Sequence, residues 1–305
     1  MNGRIRKTMD RRTALKWTLG IAGGPVLLSL SCASTDRLSR RRQPVRFGIV
    51  TDCHYADVDP SGTRFYRESP GRLAECVARM NAEEVDFLIE LGDFKDQGRP
   101  PVKADTLAYL EQIETVFQRF EGATYHVLGN HDVDSISKAQ FLARVTNTGI
   151  DPARSYYSFD ARGLHCVVLD ANFRSDDVAY DHGNFDWTDA NLPAHELDWL
   201  RKDLAATSGP VVVFIHQLLD GTDSVSVRNA EQVRQVLEQS RKVQIVFQGH
   251  HHQGRYTQIN GIHYYTLKAL VEGQGEGSNS YAIVEVKGDP SSRVVGYYRA
   301  VSMTL

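Results

Sequence analysis

Five short stretches of the sequence hold residue types that bind metal ions: Asp52-Cys53-His54, Gly92-Asp93, Gly129-Asn130-His131-Asp132, His216 and Gly249-His250-His251-His252. Carboxylate, amide oxygen and imidazole suit Mn, Fe or Zn, and none of the 4 cysteines forms a CxxC pair for a soft thiolate site. Seven candidates (Asp52, His54, Asp93, Asn130, His216, His250 and His252) are too many for one tetrahedral ion. They suffice for two divalent ions if one carboxylate bridges, and Asp93, on a tight Gly-Asp turn, is the natural bridge. Two ions ~3.5–4 Å apart lower the pKa of bound water, hold phosphoryl oxygens and clamp an in-line displacement.

The elements that must position these residues are legible around them. The runs "FGIV", "DFLIEL", "VVVFI" and "IVF" are apolar on both faces and read as central strands covered on both sides. Each is followed by one of the ligand stretches, and in open α/β folds sites form just past the carboxyl ends of strands. Between them lie amphipathic helices: Leu73, Cys76, Val77 and Met80 share one helical face, as do apolar positions from Leu107 to Phe120. Ser137 and Gln140 form a capping-box pattern. "SYYSFD" and "HCVVLD", separated by Arg162-Gly163, predict a hairpin. Helices are expected over about 194–206 and 230–239, and the end of the chain is strand-rich. The order predicts an α/β sandwich in one domain, 45–305. Period-two alternation in extended chain turns Asp52 and His54 one way and Cys53 the other, and likewise His250 and His252 against His251.

The order D-x-H, G-D-x-x-D, G-N-H-D, a lone His after an apolar strand, then G-H-x-H resembles the calcineurin-like metallophosphoesterase superfamily. The resemblance spans residues 46–252. It implies a four-layered α/β/β/α sandwich with a dinuclear centre. One ion takes Asp52, His54, Asp93 and His252; the other takes Asp93, Asn130, His216 and His250. His131 binds no metal and gives a proton to the leaving group, with Asp132 as its orienting partner, while a hydroxide held by the metal attacks phosphorus in line. Asp96, in "GDFKDQG", is read as shaping its turn. His126, His165, His195 and His263 read as ordinary.

The substrate is expected to be a small phosphomonoester, phosphodiester or nucleotide diphosphate. Asp96-Gln97-Gly98 and Asp132 depart from the Asp-Arg-Gly and the post-GNH Glu of protein Ser/Thr phosphatases. "FGIVTDCHYAD", "FYRES" and "ELGDFKDQG" look like the manganese-dependent ADP-ribose/CDP-alcohol diphosphatase branch and exported bacterial relatives, although that branch usually has Gln where His54 stands. An aromatic loop over about 172–191 offers Arg174, Tyr180 and His182 as substrate contacts, with aromatic faces to stack a base and Arg174 to hold a second phosphate. Packing of the loop on its own aromatics is the competing reading. A metal-holding scaffold without catalysis is the alternative function, but scaffolds are expected to lack ligands or the catalytic His. An amidase-type metallohydrolase is a third.

Charge and composition narrow partners and location. A net charge of −3 gives no reason to expect a nucleic-acid polymer. Residues 1–33 read as a signal peptide with Arg11-Arg12 as a twin-arginine pair, followed by a basic linker over 34–44. The apolar run from Trp17 to Leu30 is too short and too interrupted by Gly and Pro to span a membrane. The expectation is export to the periplasm or cell envelope, with a weakly matched lipid-anchor motif at Cys32. Cys53, Cys76 and Cys166 read as small buried hydrophobes. The sequence leaves oligomeric state open.

Overall fold

The computed structural model describes residues 44–287 and 292–305. The signal peptide, nearly all of the 34–44 linker and Cys32 lie outside the described residues. Among the described residues no helix is long and apolar enough to cross a membrane.

The apolar runs form strands, and the periodic segments between them form helices. The first half gives β1 (Val45–Val50), α1 (Ser69–Ala82), β2 (Phe87–Glu90), α2 (Lys103–Phe117), β3 (Ala123–His126) and α3 (Lys138–Leu142). The second gives β4 (Tyr157–Ala161), β5 (Leu164–Val168), α4 (Ala194–Ala206), β6 (Val211–Ile215), α5 (Ala230–Ser240), β7 (Val243–Gln248), β8 (Arg255–Ile259) and β9 (Ile262–Thr266). β10 (Ser280–Val286), β11 (Arg293–Tyr298) and β12 (Met303–Thr304) close the chain. β12 has only two residues, and the sequence carries no signal for it. Ser137 and Gln140 make both bonds of the capping box on α3. The hairpin between β4 and β5 turns at Arg162 and Gly163, both with positive φ, as a tight two-residue loop requires.

Two six-stranded sheets result, ordered β12-β11-β10-β1-β2-β3 and β4-β5-β6-β7-β9-β8. The central runs are parallel, β1 with β2 and β6 with β7, and β2 also pairs parallel with β3. Three apolar cores separate four layers. The first lies between the sheets: Phe47 stacks on Phe87 at 4.6 Å and meets Phe214 of the other sheet edge-on at 5.6 Å. The second buries Leu73, Cys76, Val77 and Met80 of α1 with Leu110, Ile113 and Phe117 of α2 against the first sheet. The third buries Leu197, Leu200 and Leu204 of α4 with Val233 and Leu237 of α5 against the second. The result is the expected α/β/β/α sandwich. Cys53, Cys76 and Cys166 are free and buried, as expected of small hydrophobes.

The parallel strands all deliver their carboxyl ends to one edge of the sandwich. Thr51 follows β1, Leu91 follows β2, Val127 follows β3, His216 follows β6 and Gly249 follows β7. The five ligand stretches therefore meet because the strands before them run side by side in the same direction.

Candidate metal centre

The loops at this edge are tied before any ligand is considered. Asp52 N donates to Gly92 O, His54 N to Asp93 O, and Gly249 N to His216 O. Asp132, fully buried, accepts from the backbone N–H of Asp93 (3.0 Å), Phe94 (2.9 Å) and Gly129 (2.8 Å). Two glycines allow the close approach. A Cβ on Gly129 would collide with Asp93 N and Oδ1, and one on Gly249 would collide with Thr51 Oγ1.

The backbone here is not extended. Asp52, His54, Asp93 and His250 all have positive φ, between 45° and 66°, a region that side-chain-bearing residues seldom occupy. Such strain gathers at functional sites, where the surroundings hold it in place. It also corrects the alternation argument. Cys53 does lie in the apolar core, and His250 and His252 do reach the cluster. They do so through left-handed turns, since none of these residues continues its strand.

Two carboxylates each spend one oxygen on the protein and leave the other facing imidazoles. Asp52 Oδ2 accepts from Thr51 Oγ1 (2.7 Å) and His250 N (3.1 Å). Its Oδ1 has no hydrogen-bond partner and lies 3.3 Å from His252 Nε2 and 3.6 Å from His54 Nε2. Asp93 Oδ1 accepts from His131 N at 2.8 Å. Its Oδ2 lies 3.5 Å from His54 Nε2 and 3.1 Å from His216 Nε2. Asp93 is thus shared by two groups of donors: Asp52, His54 and His252 on one side, Asp93, His216 and His250 on the other. Burial alone would protonate both acids, but the imidazoles around them outweigh it and hold both well below the usual carboxylate range.

The histidines are oriented the same way. His216 donates Nδ1–H to Leu91 O at 2.8 Å, and His252 Nδ1 meets Glu272 Oε1 at 2.6 Å. His54 Nδ1 lies 3.4 Å from Asp96 Oδ2. His216 and His252 thereby leave Nε2 for the centre, the arrangement seen when a ligating imidazole is fixed through its other nitrogen, and His54 Nε2 lies 3.2 Å from His252 Nε2. Burial, reinforced by His216, pulls His250 down to about 3, so its ring is neutral and carries a lone pair. His216 Nε2, His250 Nε2, Asp52 Oδ1 and Asn130 Oδ1 are buried polar atoms without a hydrogen-bond partner. Unsatisfied buried groups are costly and rare, and Asp52 with His54 and His252, and Asp93 with His216 and His250, each bring ligand atoms within 4.8 Å of one another, the fit expected of a divalent cation held by O and N donors.

His131 stands beside this centre, its ring edge-on to His54 with centroids 4.6 Å apart. Its orienting partner differs from the expected one. Asp132 is committed to the loop backbone, and it is Asp96 Oδ1 that faces His131 Nδ1 at 3.3 Å. Asp134 Oδ2 is also near, at 3.7 Å, and Asp134 is itself held by the buried ammonium of Lys95. Asp96 shapes its turn by accepting from Gln97 N at 2.7 Å, as expected, and also faces both His54 and His131. Glu272 has no signal in the sequence, since it lies twenty residues beyond His252 in a loop without a motif.

The aromatic loop also departs from expectation. Tyr180 is fully buried, stacked on Phe185 at 4.0 Å, with its hydroxyl donating to Asp186 O, so no substrate can reach it. Arg174 is paired with Asp176 at 2.7 Å and His182 with Asp181 at 2.8 Å, both at the surface. Trp187 is the loop aromatic that meets the cluster, 5.7 Å from the His250 ring.

The chain matches the family model described as "Calcineurin-like phosphoesterase" over residues 45–254. It is 26% identical to a manganese-dependent ADP-ribose/CDP-alcohol diphosphatase of Oryza sativa subsp. japonica, over 81% of this chain and 90% of that one. It is 27% identical to a probable cyclic nucleotide phosphodiesterase of Rhodopseudomonas palustris, over 80% of this chain and 89% of that one. Its fold is similar to the crystal structure of a dimetal phosphatase from Danio rerio, with a TM-score of 0.73 at 21% identity, covering 86% of this chain and 98% of that one.

Proposed function

The chain belongs to the calcineurin-like phosphoesterase family and is a metal-dependent phosphoesterase; from this we propose that its centre holds two divalent ions bridged by Asp93 and hydrolyses a small, nucleotide-like phosphoester. In this reading Asp52, His54, Asp93 and His252 hold one ion, and Asp93, Asn130, His216 and His250 the other. The observation that carries it is the Asp93 carboxylate oxygen shared by His54 and His216, with the unpartnered buried His216 Nε2, His250 Nε2 and Asp52 Oδ1 lying in the two donor groups that this oxygen joins. Manganese is the first metal to try, because a relative similar over most of the chain is manganese-dependent by name.

Divalent ions there would acidify a bound water and hold phosphoryl oxygens. The chain's own groups do the rest. His131 presents the ring nitrogen opposite Asp96 to the substrate and carries the proton that the leaving oxygen needs. Asp96 fixes the tautomer and holds the ring still. Asp132 keeps the Asp93 and Gly129 loops at the spacing the centre requires. A scaffold without catalysis is not favoured, since every ligand position and His131 are kept.

The test is hydrolysis of p-nitrophenyl phosphate and bis-p-nitrophenyl phosphate by the folded chain with and without added manganese. Turnover that depends on manganese supports the reading; a folded, manganese-loaded and silent protein refutes it. Export is proposed on the N-terminal sequence alone. Changing Arg11-Arg12 to Lys-Lys is expected to leave the protein in the cytoplasm, and undiminished export of that variant would contradict the twin-arginine route.

A further inference from the structure

The loop over 172–191 looks, from its composition, like a place to stack a base and grip a second phosphate. Its geometry supports the first task and opposes the second. Trp187 is 44% exposed, and among the described residues it belongs to none of the apolar cores. The fold does not need it where it is. Yet its ring sits edge-to-face with that of His250, one imidazole away from the metal cluster.

The seat beneath Trp187 is rigid. Asp186 caps the short 3-10 turn Trp187–Asp189, its Oδ1 accepting from Thr188 N (2.9 Å) and Thr188 Oγ1 (2.8 Å). The Tyr180–Phe185 stack and the bond from Tyr180 to Asp186 O pin the chain just before it. Ser175 donates from both N and Oγ to Asp189 just after it. A large aromatic ring held out at the mouth of a polar centre on a fixed seat is pre-organised to be covered by something flat.

The charge around it selects what that is. Residues 172–191 carry five aspartates (Asp176, Asp177, Asp181, Asp186 and Asp189) against one arginine, Arg174. Arg174 is already taken by Asp176, and Arg228 from the next segment lies 3.6 Å from Asp189. No cation on the loop is left to grip a phosphate, and the surplus carboxylates repel one. We propose that Trp187 is a specificity-determining platform for a planar ring on the phosphoester, one that is neutral or cationic and carries no anionic group beyond the metal centre. This deepens the phosphoesterase reading and rests on it, since His250 and the cluster fix where the phosphate lies.

The test is calorimetric titration of the manganese-loaded full chain with uridine 5′-monophosphate, ribose 5-phosphate and orotidine 5′-monophosphate. The first two differ by the ring, and the third adds a carboxylate to that ring. The wild type is expected to bind uridine 5′-monophosphate about tenfold tighter than ribose 5-phosphate, the scale of one base stacked on an aromatic side chain. Orotidine 5′-monophosphate is expected to lose most of that gain. Trp187→Ala should erase the gap between the first two ligands, and Trp187→Phe should keep most of it. Equal affinities in the wild type, or a gap that survives in Trp187→Ala, would overturn the proposal. Bis-p-nitrophenyl phosphate hydrolysis is followed in parallel: its absence refutes the phosphoesterase reading, whereas the affinity gap reads the platform by itself.

Discussion

At the carboxyl edge of the sandwich, His54, His216 and His252 each turn Nδ1 to a protein oxygen and leave Nε2 facing a shared space. At the amino end of β5, His165 places Nδ1 2.8 Å from Asp160 and Nε2 2.8 Å from Asp203, using both nitrogens. His126, the last residue of β3, lies between Glu114 at 3.1 Å and Glu90 at 3.7 Å. All three regions put imidazole among carboxylates, so proximity alone does not mark a metal centre. What differs is direction. At the carboxyl edge several imidazoles gather on one shared carboxylate oxygen, that of Asp93; His126, whose ring nitrogens also lack hydrogen-bond partners, is a single imidazole between two glutamates, and at His165 the imidazole is closed off by its neighbours. A cation fits the first arrangement and has no free imidazole nitrogen to bind at His165.

The largest effect that would break this contrast lies at Asp93, the one carboxylate both donor groups share. Asp93→Ala is expected to strip bound manganese and abolish turnover in a chain that still folds, read by elemental analysis beside circular dichroism. Full metal content in that variant would remove Asp93 from its bridging part. Next, His131→Ala should lower kcat by roughly 10²–10⁴-fold, the range for a lost general acid, with metal content unchanged. Loss of metal in step with activity would make His131 a ligand. Third, Glu272→Gln should weaken metal binding by about 10–100-fold, because it frees the His252 ring that Glu272 now orients.

The smallest effect belongs to the closed histidine and concerns folding alone. The hydrogen bond from His165 to Asp203 outweighs partial burial, and with Asp160 it raises the His165 pKa above its ordinary value. A base raised in the folded state stabilises fully below its unfolded pKa of about 6.5, and that contribution fades as pH climbs through the folded pKa. His165→Gln should therefore be less stable than the wild type at pH 6, with the gap closing toward alkaline pH, while activity with added manganese is unchanged. Denaturant midpoints across pH measure this, and a gap that widens with pH would reverse the assignment of charge.

Much of this was written in the sequence because ligand chemistry is carried by residue type and parallel strands place their ends together. The five stretches and the central apolar runs before them needed no long-range information. Directions were less legible. Alternation names His250 and His252 over His251, but the chain reaches that outcome through left-handed residues that a strand pattern cannot foresee. Asp132 stands next to His131 in sequence and reads as its partner, yet its oxygens are spent on four backbone N–H groups, and Asp96 reaches His131 from another loop. Tyr180 and Trp187 looked alike as loop aromatics. Only packing reveals that one is the loop's own core and the other its exposed face.

The two donor groups joined at Asp93 hold metal for phosphoester hydrolysis in the function proposed above. This is tested most directly by titrating metal-stripped, folded protein with manganese while following bis-p-nitrophenyl phosphate turnover. About two ions are expected to bind per chain, with activity appearing as they bind. Full turnover with no metal bound, or two ions bound with no turnover of any phosphoester, would contradict it.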